Sequence, residues 1–213
     1  MSSKIYIVGM GPGTGEMMTP QADHALCGSD VIVGYPVYLK LLGGKYREKE
    51  LLSTPMKQEV RRCEMCFEEA EKGKTVAISN VSDPTFGEEI LGKGVAIIPA
   101  EGRIYAPADG TIEMLFDTMH AVSMTTSEGV ELLIHIGLDT VALKGEHFTA
   151  YKGNGDSVKK GELLIEADLD AVKKAGYDVI TPVVVCNTSD YQTVETVTDQ
   201  EVEPGDTVLI LNK

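Results

Sequence analysis

The 213-residue chain carries 19 Lys+Arg against 33 Asp+Glu, a formal net charge of −14, with 43% hydrophobic residues. A negative surplus of that size disfavours nucleic acid and anionic membrane surfaces as partners, because both repel it. Four Cys in no secretory spacing, no signal peptide and no apolar run of membrane-spanning length point to a cytosolic protein with reduced thiols and no membrane insertion.

The charge is uneven. Residues 1–72 hold 9 Lys+Arg and 10 Asp+Glu, whereas 73–213 hold 10 and 23. The texture changes at the same place, so two pieces are expected: 1–72, a small α/β segment with parallel strands, and 73–213, a β domain. In the first piece KIYIVG (4–9) reads as a short buried strand and MGPGTGE (10–16) as a glycine-rich turn. Gly9, Gly11 and Gly13 suit a loop that offers backbone amides to an anion, although a tight strand–helix turn needs the same residues. Thr19 and Pro20 have the chemistry of an N-cap and a first helical residue for 19–29. DVIVGYP (30–36) is a second strand, and 57–71 is a helix with Val60, Cys63, Phe67 and Ala70 along one stripe. Cys63 and Cys66 form an isolated C-x-x-C without the second pair a zinc site needs, and are expected as small buried apolar residues.

The runs IYIVGMGPG, MTPQADHAL and SDVIVGYPVYL, over roughly residues 3–79, resemble the N-terminal start of the tetrapyrrole methylases, most closely the precorrin-3B C17-methyltransferase type of cobalamin biosynthesis. The resemblance implies S-adenosylmethionine held between two α/β domains, with Gly9, Gly11 and Gly13 in the cofactor loop. The family's Gly-Asp-Pro motif would fall at SNVSDP (79–84), which lacks the glycine, and its second domain is absent. Methyl transfer is therefore not expected.

Beyond Gly73 short strands alternate with Gly, Pro and Asp: KGVAIIPAEG, RIYAPADG, TIEMLF, VELLIHIG, GELLIEAD, TPVVVCN and DTVLILN. Only 85–91 and 168–176 read as helices. This is the texture of an antiparallel β-sandwich or barrel-sandwich. NGDSVKKGELL and VEPGDTVLI share a G-D-x-V turn-and-strand echo, read as structural.

The run LLIHIGLDTV (132–141) places Leu132, Ile134, Ile136 and Leu138 on one strand face and Leu133, His135, Gly137 and Asp139 on the other. Gly137 would leave open space beside the imidazole. The segment TTSEGVE (125–131) reads as a turn with Gly129 at a positive-φ position. A hairpin centred between Ser127 and Glu128 sets His120 opposite His135, to within one residue, with Phe116, Thr118 and His120 on one face. Two close imidazoles suit a metal site completed by Asp139 or Asp83, acid–base hydrolysis, or a phosphohistidine relay. No serine or cysteine nucleophile motif accompanies them, and the relay needs neither cofactor nor metal.

SDPTFGEEILGKGVAIIP, YAPADGTI, FDTMHAV, GVELLIHIGLDTVALKGEHF, GDSVKKGELLIEADL and TPVVVCNT together resemble the glucose-family enzyme IIA domain of the bacterial phosphoenolpyruvate:sugar phosphotransferase system, from about Gly73 to Lys213. The resemblance implies that His135 accepts phosphate from the histidine phosphocarrier protein and passes it to a cysteine of an enzyme IIB domain. It makes His120 the supporting imidazole and Thr118 the hydroxyl that fixes its tautomer. It also implies docking through Phe86, Ile90, Phe116 and Leu133, with Asp83 and Asp139 at the rim. The family's opening strand, ending Pro-x-x-Gly, is replaced here by CFEEAEK, so the sandwich is expected to lack an edge strand or to recruit a substitute. The rival readings are a methyltransferase fragment, a chimera of the two families with neither full activity, and a non-catalytic regulator.

Overall fold

The computed structural model describes residues 5–11 and 17–213. It divides into two compact units, one ending at Glu71 and one running from Lys72 to Lys213.

In the first unit, helix α1 (Pro20–Gly28) begins where Thr19 accepts from the Ala22 backbone N–H at 3.2 Å, with Pro20 at its first position. Strand β1 (Val31–Gly34), helix α2 (Pro36–Leu41), strand β2 (Glu50–Ser53) and helix α3 (Glu59–Glu71) follow. β1 and β2 pair in parallel, Val31 opposite Glu50. Leu26, Ile32, Leu42 and Tyr46 form a small core, with Val8 and Met10 against it.

Two expectations fail here. Residues 5–10 form no strand, and Ile7 is fully exposed. A buried strand needs a ladder partner and cover on both faces, and the two-stranded ribbon supplies neither for Ile7. The Val60–Phe67 stripe of α3 also faces outward, with Val60, Cys63 and Phe67 exposed and Cys66 half-buried. The turn of the helix is set instead by Arg62, whose guanidinium donates to Thr54 Oγ1 at 2.7 Å and Pro55 O at 3.0 Å and pairs with Glu59 at 2.9 Å. Directed bonds from a planar guanidinium outweigh a weak apolar stripe on a surface helix.

The second unit comprises strand β3 (Gly73–Ala77), helix α4 (Pro84–Gly87), strands β4 (Lys93–Ile98), β5 (Arg103–Tyr105), β6 (Gly110–Leu115), β7 (Ala121–Thr126), β8 (Glu131–His135), β9 (Phe148–Ala150), β10 (Ser157–Val158) and β11 (Leu163–Ala167), helix α5 (Leu169–Lys174), and strands β12 (Thr181–Val185), β13 (Thr193–Thr196), β14 (Glu201–Val202) and β15 (Leu209–Asn212). Eight strands form one antiparallel sheet in the order β10-β6-β7-β8-β12-β4-β3-β14. A three-stranded sheet, β5-β11-β9, and the ribbon β13-β15 share the main core with one face of it.

The large sheet is apolar on both faces because its central strands alternate between two cores. Val95, Ile134, Val183 and Val185 enter the main core, while Ala96 and Val184 enter a smaller one with Val76, Ile78, Val81 and Phe86. The segment 78–87 therefore lids the second face. Asp83 starts α4 by accepting from the Thr85 N–H at 2.8 Å.

The β3 edge is covered. Thr75 N–H donates to Gln200 O at 2.8 Å, Asp199 N–H donates to Thr75 O at 2.9 Å, and β14 pairs along Gly73 and Lys74. The G-D-x-V echo is a repeated turn. Asp156 accepts from Gly153 N–H at 2.8 Å and Asp206 from Glu203 N–H at 2.9 Å, ahead of Gly155 and Gly205 respectively being left at positive φ.

Candidate functional site

β7 and β8 are joined by a tight turn in which Thr126 N–H donates to Val130 O and Gly129 adopts φ 84°. The odd number of loop residues, with glycine at the left-handed position, fixes the register. His135 consequently lies opposite Ala121, and Ile136 N–H donates to His120 O at 2.8 Å, so the two histidines are offset by one residue rather than opposed. In a continuous strand that offset would send their side chains to opposite faces. His120 instead precedes β7, directly after Met119 at φ 53° in a turn closed by Met119 N–H to Phe116 O at 2.7 Å. The turn re-aims the ring, and the imidazole centroids lie 4.9 Å apart, edge to face.

The remaining contacts lock both rings. Thr118 Oγ1 is 2.6 Å from His120 Nδ1, and Phe116 packs at 5.4 Å from the same ring. His135 Nδ1 is 2.6 Å from Gly137 O, and Phe86 lies 5.1 Å from the His135 ring. A carbonyl oxygen only accepts, so Nδ1 of His135 carries the hydrogen and Nε2 the lone pair. Gly137 does not provide open space. It sits at φ 74°, and a Cβ there would lie 2.5 Å from Asp178 O and 2.7 Å from Thr140 Cγ2. Its function in the site is its carbonyl.

Burial favours the neutral form of both imidazoles. Burial, and then the neighbouring His135, push the His120 pKa down to about 4. Burial also lowers that of His135, offset in part by the Gly137 carbonyl and the carboxylates of Asp83 and Asp139.

The other site residues fall in three places. Phe116 and Leu133 are half-buried beside the pair, and Ile90 is 67% exposed. Phe86 is 5% exposed and belongs to the smaller core, so it supports the His135 ring from within instead of standing on the surface as a docking contact. Asp139 is exposed at φ 57°, next to Val141, an exposed apolar residue not singled out in the sequence. Thr140 and Asp178 were also missed. The run G-L-D-T after a strand signals a turn, whereas nothing local marks Asp178, whose backbone carbonyl accepts from the Leu138 N–H through tertiary packing. In the first unit, Gly9 and Gly11 are exposed and only Gly11 has positive φ, while Gly13 lies outside the described residues. His24, in the first unit, and His147 are both exposed.

A sequence model of the phosphoenolpyruvate-dependent sugar phosphotransferase system, EIIA 1, matches residues 67–191, a span that includes both histidines. The chain belongs to this family. The chain is 44% identical over 141 residues to the glucose-specific EIIA component of Halalkalibacterium halodurans, covering 66% of this chain and 82% of that protein. It is 46% identical over 131 residues to the beta-glucoside-specific EIIBCA component of Dickeya chrysanthemi, 62% of this chain but 21% of that protein. The chain spans about a fifth of the length of such multi-component relatives, between 19% and 23%. The fold is that of glucose permease IIA from Mycoplasma capricolum, with a TM-score of 0.61 and 36% identity over 65% of this chain and 89% of that one. Residues 4–99 match a second model, the Tetrapyrrole (Corrin/Porphyrin) Methylases, so 67–99 fits both families.

Proposed function

We propose that the chain is a phosphohistidine carrier, taking phosphate on His135 from the histidine phosphocarrier protein and giving it to a cysteine of an enzyme IIB domain. The observation that carries this reading is the His135 tautomer. With Nδ1–H donated to Gly137 O at 2.6 Å, the ring of a neutral imidazole has one free lone pair, at Nε2. In the first half-reaction that lone pair attacks phosphorus, a new N–P bond forms, and the N–P bond of the donor histidine breaks with its electron pair returning to the donor ring. In the second, a thiolate attacks the same phosphorus and the pair returns to Nε2. No redox step or metal ion is required.

His120 supports the phosphoryl group. With the Thr118 hydroxyl donating to Nδ1 across 2.6 Å, Nε2 of His120 bears hydrogen and offers a donor to phosphoryl oxygens beside His135. Ile90, Phe116, Leu133 and Val141, with Asp83 and Asp139 at the rim, form the surface that partners cover. Incubation with phosphoenolpyruvate, enzyme I and the histidine phosphocarrier protein, with mass-spectrometric mapping, should place the phosphate on His135. His135→Ala should abolish labelling and leave the far-ultraviolet circular dichroism spectrum unchanged, whereas undiminished labelling of that variant overturns the reading.

A further inference from the structure

The Gly137–Leu138 peptide group is held at both ends. Its carbonyl accepts from His135 Nδ1 at 2.6 Å, and its own N–H, that of Leu138, donates to Asp178 O at 3.0 Å. Asp178 is fixed in turn, its carboxylate accepting from Ile180 N–H at 2.9 Å. One peptide unit thus links the histidine to a backbone carbonyl from the connection before β12. In such a chain each bond polarises the next, so the Gly137 oxygen becomes a stronger acceptor than an isolated carbonyl.

The peptide before it is held as well. Thr140 is wholly buried, its hydroxyl donates to Ile136 O at 2.6 Å, and its methyl lies against the side of Gly137 that a Cβ would occupy. Gly137 at φ 74° and Asp139 at φ 57° flank this clamp, so the turn uses two left-handed residues within three positions. Left-handed backbone at a non-glycine residue persists only where its surroundings enforce it. The Thr140 hydroxyl supplies that enforcement from inside the turn and Asp178 from outside.

We propose that Thr140 is a positioning residue for the phosphoryl-transfer reaction, its hydroxyl holding the Gly137 carbonyl on Nδ1 of His135 and so reserving Nε2 for phosphate. This rests on the carrier reading above. The Thr140 hydroxyl donates to the Ile136 carbonyl and not to a histidine ring. It acts through the turn, and the quantity it controls is the proportion of His135 with hydrogen on Nδ1.

Nitrogen-15 spectra of the full chain at pH 7.5 read that proportion without any phosphate donor. The wild-type protein should show a protonated, pyrrole-like Nδ1 and an unprotonated, pyridine-like Nε2 at His135. Thr140→Val keeps the shape and removes the hydroxyl, and it should move both nitrogens toward the average of two tautomers and slow phosphate acceptance by about tenfold, the scale of one positioning hydrogen bond. Thr140→Ser keeps the hydroxyl and should restore the wild-type pattern. A wild-type spectrum with hydrogen on Nε2 overturns the proposal, and that measurement needs no variant to fold. So does a folded Thr140→Val protein with unchanged nitrogen shifts, or a Thr140→Ser protein that behaves like the valine variant. If the spectra respond as expected while the wild-type chain takes up no phosphate, the tautomer clamp stands and the carrier reading fails.

Discussion

At the scale of single residues, the site depends on two imidazoles that differ in what their Nδ1 atoms face. His135 meets a carbonyl and His120 a hydroxyl. A carbonyl only accepts, which fixes hydrogen on Nδ1 of His135, whereas a hydroxyl that donates to Nδ1 leaves hydrogen on Nε2 of His120. His120→Gln retains a donor of similar reach but cannot take up a proton. It should still accept phosphate from the carrier protein, while transfer to the enzyme IIB cysteine slows by about 10²-fold. Thr118→Val should give a milder loss. Rapid-quench measurement of the two half-reactions separates these effects, and a variant that fails to accept yet transfers normally when pre-loaded would reverse the roles assigned to the two rings. The depressed His120 pKa also makes stability depend on pH. Between the ordinary value of 6.5 and the folded value of about 4, the unfolded chain binds a proton that the folded chain refuses. Stability from this group is therefore present above pH 6.5 and is lost as the pH falls toward 4, by up to about 3 kcal/mol. Urea unfolding at pH 7 and pH 4.5 should show that loss in the wild-type chain and a smaller one in His120→Gln.

At the scale of elements, the strands with strong local pattern were legible and the placements decided by tertiary contacts were not. The alternation in 132–136 correctly separates Leu132, Ile134 and Ile136, buried in the main core, from the face of His135, but it fails at Leu138, which enters the smaller core after Gly137 turns the chain at φ 74°. The turn at Gly129 was readable from its glycine, but the one-residue offset was not, because a loop of two residues and a loop of three share the same turn chemistry. That the histidines still meet depends on Met119 at φ 53°, a conformation that no methionine advertises. KIYIVG has the composition of a buried strand, and composition cannot report that, among the described residues, the neighbouring ribbon is formed by β1 and β2 alone. That the sandwich would lack an edge strand or recruit a substitute was readable from CFEEAEK, but not which segment covers β3, since that partner comes from far along the chain. That cover should be measurable. Thr75 is wholly buried, donates to Gln200 O at 3.1 Å and accepts from Gln200 N–H at 3.2 Å. Thr75→Val should cost about 1–3 kcal/mol in urea unfolding by stranding the Gln200 N–H, since Gln200 O keeps the Thr75 N–H, and it should increase aggregation as the β3 edge is loosened. A variant with an unchanged midpoint would show that β14 contributes nothing to the sheet.

At the scale of the whole molecule, the site and both cores around it lie within residues 72–213, while the methylase-like unit contributes none of the residues assigned to phosphate. A chain beginning at Lys72 should therefore accept phosphate as fast as the full chain, and calorimetry of the full chain should detect no S-adenosylmethionine binding. Micromolar binding of that cofactor would give the first unit a function of its own. The pairing of β3 with β14 has a further consequence, in the order of synthesis. Thr75 and its partner Gln200 are separated by 125 residues. At about 5–20 residues per second, a ribosome leaves β3 without its outer neighbour for roughly 6–25 s. Through that interval the nascent sheet presents an open ladder, bracketed by Lys72 and Lys74, charges of the kind that deter edge-to-edge association. When β14 arrives, Lys72 pairs with Glu201 at 3.3 Å, so the residue that guarded the growing edge becomes part of its closure.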